Sequence, residues 1–143
     1  MIDREDALRK FVEEYEIEVP ASLVENEYDF IVLNTRHMMH YDSLSGGGHH
    51  PNLEAELSEQ EEDMRVAAHY ELKSELVLKA VIKEQEISVS RDELEQEALA
   101  MARRQNVTME QIIMFFGEDL AMLERDIKQQ KAINWICEQI DSA

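Results

Sequence analysis

The residues best suited to chemistry are five histidines, one cysteine and eight methionines. His37 and His40 stand three apart, which puts them on one face of a helix, and His49 and His50 follow closely. Four imidazoles at that density could ligate Zn²⁺ or Ni²⁺. No carboxylate or cysteine completes a known ligand spacing, so no metal or cofactor is assigned, and the residues read as polar groups beside a solvated turn. His69 reads as structural. Cys137 sits among Trp135, Ile136 and Ile140 with no flanking histidine, and reads as a buried thiol. The chain has no P-loop, dinucleotide fingerprint or serine elbow. No catalytic residue is expected, and the chain reads as a non-enzyme.

The methionines offer a different chemistry. The thioether is flexible and polarizable, and suits surfaces that must fit many partners. Met38, Met39, Met101, Met109, Met114 and Met122 are among them. Met38 and Met39 are adjacent, so on a helix they diverge by about 100° and cannot share one core. The segment around them carries two apolar faces. Val24, Tyr28, Ile31, Thr35 and Met38 form one; Phe30, Leu33, His37 and Tyr41 form the other. Further on, Ile112 to Phe116 are apolar on all sides. The candidate surface residues are Phe30, Leu33, Met38, Met39, Met101, Met109, Ile113 and Phe116. The competing reading is ordinary core: a helix buried on two sides and a buried short helix.

The elements that position these residues are helical almost throughout. Ala7, Leu8, Phe11, Val12 and Tyr15 have helical spacing and predict a helix from about Asp3 to Glu16. Pro20 restricts Val19 to extended backbone and suits the first turn of a second helix, which runs to about Ser43. Leu44 to Pro51, with three consecutive glycines, reads as a flexible loop. One long helix is expected from about Asn52 to Glu86. Capping boxes at Ser90/Glu93 and Thr108/Gln111 start two more, ending near Asn106 and Gly117. The last helix is expected from about Glu118 to Ile140. The fold class is all-α.

A repeat appears at an offset of 70 residues. Glu14-Tyr15-Glu16-Ile17-Glu18-Val19-Pro20 aligns with Glu84-Gln85-Glu86-Ile87-Ser88-Val89-Ser90, and Val24-Glu25-Asn26-Glu27 aligns with Leu94-Glu95-Gln96-Glu97. Each unit is helix, extended connector, helix. These segments, with Leu76 to Ile82 and the stretch Asp126 to Ala132, resemble in order the C-terminal, substrate-binding domain of trigger factor. The resemblance implies a helical body with two protruding arms. The expected division of 1–143 is arm 1 at about 20–55, arm 2 at about 90–117, and a body from 1–19, 56–89 and 118–143. The arm tips would lie around Tyr41 to Pro51 and Gln105 to Thr108. It further implies an ATP-independent chaperone that holds unfolded or nascent polypeptides, with the candidate surface residues facing the client. The family's ribosome-docking and prolyl isomerase domains have no counterpart here, so the chain is expected to be a fragment or a free-standing relative without isomerase activity.

Charge narrows the partners. Thirty-two acidic residues against fourteen Lys and Arg give −18, with no basic cluster beyond short pairs such as Arg103 and Arg104. Direct binding of nucleic acid or anionic lipid is not expected on that surface. High negative charge keeps a protein with exposed apolar surface soluble. No signal-peptide core and no long apolar run is present, and the cytoplasm is the expected compartment. The alternative function is a helical interaction module, dimerising or binding one defined partner.

Overall fold

The computed structural model describes residues 3–46, 50 and 52–142. Most of the expected glycine loop, including Gly47, Gly48, His49 and Pro51, lies outside the described residues. The protein is all-α. Among the described residues there are seven helices and no strand: α1 (Arg4–Glu14), α2 (Ala21–Ser45), α3 (Leu53–Glu59), α4 (Glu61–Glu84), α5 (Arg91–Gln105), α6 (Met109–Phe116) and α7 (Ala121–Ser142).

The repeat is reproduced in the backbone to the residue. α1 ends at Glu14 and α4 at Glu84; α2 begins at Ala21 and α5 at Arg91. The cap residue is Pro20 in one copy and Ser90 in the other. Ser90 Oγ accepts the Glu93 N–H at 3.1 Å. At α6 the capping box is complete, with the Gln111 N–H donating to Thr108 Oγ1 at 3.2 Å and the Thr108 N–H to Gln111 Oε1 at 2.9 Å.

Two helices stop by the same device. The Ile87 N–H reaches back to the Ile82 carbonyl and the Glu86 N–H to the Lys83 carbonyl. The Val107 and Asn106 N–H groups repeat the pattern with Ala102 and Arg103. Both are Schellman closures, which require a left-handed residue. Glu86 and Asn106 supply it at φ 51° and 54°.

The expected long helix from Asn52 is two helices, broken at Gln60. The Gln60 N–H turns back to the Leu57 and Ser58 carbonyls. Glu61, Glu62 and Asp63 then occupy the first turn of α4. Three carboxylates are favoured at a helix N-terminus, where the dipole is positive, and repel one another in a helix interior. The last helix starts later than expected, because Gly117 (φ 93°) and the buried Leu120 (φ 54°) form a turn ahead of Ala121.

The chain divides into two compact units, Val12–Val77 and Met1–Phe11 with Leu78–Ala143. In the first, α2 packs on α3 and α4 around buried Met39, Leu57 and Met64, with Tyr28, Ile31, Val32 and Leu53 against them. Arg36 is paired with Glu54 across this seam. Arg65 donates to Glu25 at 2.8 Å while its guanidinium lies 3.9 Å over the Tyr28 ring. In the second unit, α5, α6 and α7 enclose Leu94, Ala98, Ala102, Ile112, Phe116, Leu120 and Leu123. The start of α1 joins it through Arg4, which donates to Asn134 at 2.8 Å, and through Phe11, edge-on to Trp135 at 5.9 Å.

Candidate functional site

α2 has 25 residues and is about 37 Å long. At 100° per residue, Tyr28, Ile31, Val32, Thr35 and Met39 share one side, and this is the side that packs. Leu23, Phe30, Leu33, His37, Tyr41 and Leu44 share the opposite side, and all of them are exposed. Phe30 is 56% exposed, Leu33 50%, Tyr41 71% and Leu44 89%. The second apolar face read from the sequence is therefore solvent-facing in this unit. Leu23 and Leu44, not singled out in the sequence, extend it at both ends. Their spacing of seven from Phe30 and three from Tyr41 is the signal that identifies them.

The methionine pair splits. Met38 is 68% exposed and Met39 only 8%. Both are candidate surface residues by sequence; Met38 is exposed, and Met39 lies on the packed side. Met39 is thereby corrected from candidate surface to core, because its position, four beyond Thr35, points it at Leu57 and Met64.

The second surface lies on α6. Met114 is 85% exposed and Phe115 73%. Phe116 is buried in the core of its unit, so it too is corrected from surface to core. The turn at Gly117 closes over α6 and brings Phe116 onto the cluster with Leu120. Met101, Met109 and Ile113 are half-buried against the same core. Between α5 and α6 a recess of about 290 Å³ is lined by Met101, Val107, Ile112, Phe115 and Phe116, with Gln105 and Gln111 as its polar members.

Charged groups lie near the packed sides of α2 and α5. Partial burial, then the neighbouring Glu71 carboxyl and the charge of Glu75, push Glu27 above the ordinary carboxylate value. Burial and the Glu61 charge raise Tyr28, against the opposing effect of Arg65. In the second unit Lys131 Nζ donates to Glu93 at 2.6 Å and to the Ser88 carbonyl at 2.8 Å. The hydrogen bond from Lys131 holds Glu93 below its ordinary value.

His37, His40 and His69 are exposed, His50 pairs with Glu56 at 3.0 Å, and His49 lies outside the described residues. Among the described residues no group of three or more His, Cys, Asp or Glu could hold a metal ion. Cys137 is half-buried and unpaired to another cysteine. No helix of the described residues is long and apolar enough to cross a membrane. What α2 and α6 present among the described residues is apolar contact surface.

Comparison with known proteins follows the same direction. The family model described as bacterial trigger factor protein (TF) C-terminus matches residues 3–138. The chain is 32% identical to the trigger factor of Bacillus pumilus (strain SAFR-032), over 94% of this chain and 32% of that protein. It is also 32% identical to that of Bacillus subtilis (strain 168), over the same shares. Trigger factor 1 of Desulfitobacterium hafniense (strain Y51) is 29% identical, over 91% of this chain and 31% of its own length. The chain thus spans about a third of the length of the curated relatives it matches. No solved structure matches it. An all-α chain with the helix order, the repeat and this match along nearly its whole length belongs to the bacterial trigger factor C-terminal family.

Proposed function

We propose that this chain is an ATP-independent chaperone module that holds unfolded or nascent polypeptides by their apolar segments. The observation that carries the reading is the outer side of α2. Leu23, Phe30, Leu33, Tyr41 and Leu44 line it in register, opposite a packed side that already satisfies the helix. A soluble protein rarely leaves so many large apolar groups on one face without a use for them. Membership of the family supports the same reading. Phe30, Leu33 and Met38 are the proposed contacts on α2, and Met101, Met109 and Ile113 border those on α6. The arms-and-body division given by the family likeness, absence of isomerase activity and a cytoplasmic location belong to the same proposal.

Covering apolar client surface contributes about 25 cal/mol per Å² before the cost of ordering both partners. Binding the unfolded chain lowers the concentration free to aggregate. The test is dilution of a chemically denatured reporter protein into buffer with and without this chain, followed by light scattering. Wild-type protein should suppress scattering. The triple variant Phe30→Ser, Leu33→Ser, Met38→Ser should suppress it several-fold less while melting in denaturant as the wild type does. Equal suppression by a normally folded triple variant would falsify the assignment of this surface.

A further inference from the structure

Among the described residues the methionines range from buried to exposed, a difference in access to solvent rather than in sequence context. Met39 and Met64 are 8% and 7% exposed, inside the core of the Val12–Val77 unit. Met38 and Met114 are 68% and 85% exposed; Met38 borders the outer side of α2 next to His37 and Tyr41, and Met114 stands on the α6 surface. Met122, 47% exposed, is intermediate, and Met101 and Met109 are half-buried. Oxidation of a thioether needs the reagent to reach sulfur, so exposure sets the order of reaction.

We propose that Met38 and Met114 are reversible oxidation sites that switch off the apolar surfaces they stand on; this rests on the holding function proposed above. The oxidant class is a peroxide. A sulfur lone pair attacks one peroxide oxygen and the O–O bond breaks; the oxygen now bound to sulfur gives up its proton, and the second oxygen takes up a proton and leaves as water. Sulfur is oxidised by two electrons to the sulfoxide and the peroxide is reduced. The product places a strong S=O dipole where an apolar group stood. At Met38 the dipole sits beside Tyr41 and His37, with which it borders a shallow recess on α2. At Met114 it sits beside exposed Phe115. A hydrated sulfoxide must be stripped of water before an apolar client segment can cover it, so binding weakens. Neither sulfur belongs to a core, so the fold is left intact.

The experiment treats the whole chain with graded hydrogen peroxide and maps sulfoxides by peptide mass spectrometry. Aliquots are assayed for aggregation suppression and for the denaturant melt. Met38 and Met114 should oxidise first, with Met39 and Met64 last. At the stage where only the exposed class has reacted, holding should fall several-fold with the melt unchanged. Methionine sulfoxide reductase should restore it, and dithiothreitol alone should not, which separates the effect from the Cys137 thiol. The readout for the variant Met38→Leu, Met114→Leu is the ratio of holding after peroxide to holding before, within that protein. This ratio should stay near unity while the wild-type ratio falls. Holding that survives complete oxidation of both sulfurs overturns this inference and leaves the proposed function standing. Untreated protein that holds nothing overturns both.

Discussion

The adjacent methionines show how a single step along a helix separates two roles. Met39 packs on Leu57 and Met64, while Met38 faces solvent. Met39→Ala should destabilise the protein by about 2–3 kcal/mol, the scale of an emptied core site. Met38→Ala should change stability by less than about 0.5 kcal/mol, as exposed substitutions do. Parallel denaturant melts check both, and equal losses would contradict the split. Two carboxyls make opposite contributions with pH. Glu27 has its folded pKa raised above 4.5, chiefly by burial and then by Glu71. The folded chain therefore holds that proton more tightly, and the stability it confers is present below about 4.5 and lost as pH rises through the raised value. Glu93 is lowered, so its contribution is present above about 4.5 and lost as pH falls through the depressed value. Melts of Glu27→Gln at neutral pH should show a small gain over wild type, since Glu27 no longer faces Glu71 and Glu75 as a charge. Lys131→Met should remove Glu93's share of the acid-limb slope between pH 5 and pH 3, as seen by melting across that range.

At the scale of the element, helix ends were more legible than helix interiors. Ser90 and Thr108 were readable as caps because a side-chain oxygen followed three residues later by Glu or Gln satisfies N–H groups that the helix cannot. The break at Gln60 was missed because the apolar stripe runs through Leu57, Met64 and Ala68 without interruption. Periodicity reports which side is buried, and the break is a matter of charge: three acids prefer a new N-terminus. The two apolar sides of α2 were visible as types and spacing, but which neighbour lay behind each was not. That choice depends on contacts with α3 and α4 from residues about 20–40 positions away. The Schellman closure of α4 relies on Glu86 in a left-handed conformation, which suits glycine and strains a residue bearing Cβ. Glu86→Gly should stabilise the protein by about 0.5–1 kcal/mol, measured by denaturant melt. Asn106→Gly should gain less, because asparagine already tolerates that region.

For the molecule as a whole, the net charge and the exposed apolar faces act together. The chain carries −18, and like charge of that size opposes self-association through the apolar residues that α2 and α6 expose. The family model that matches is that of the trigger factor C-terminus, and the chain spans about a third of the length of the relatives it matches. A proline-containing peptide mixed with the pure chain should therefore isomerise at its uncatalysed rate, about tens of seconds or slower at room temperature. Dose-dependent acceleration in a standard isomerisation assay would contradict this.

The discontinuity of one unit has a consequence in time. Val12–Val77 is a single stretch, whereas its companion joins Met1–Phe11 to Leu78–Ala143. Arg4 must wait for Asn134, a separation of 130 residues, while Arg36–Glu54 and Arg65–Glu25 close over 18 and 40. Bringing such distant segments together costs about 1–2 kcal/mol more in chain entropy than closing the shorter spans. In a chain made from its N-terminus onward, the uninterrupted unit can complete first, and the start of α1 stays without its partners until Asn134 and Trp135 have been made. Pulsed hydrogen exchange during refolding should protect the amides near Met39 before those near Ala7.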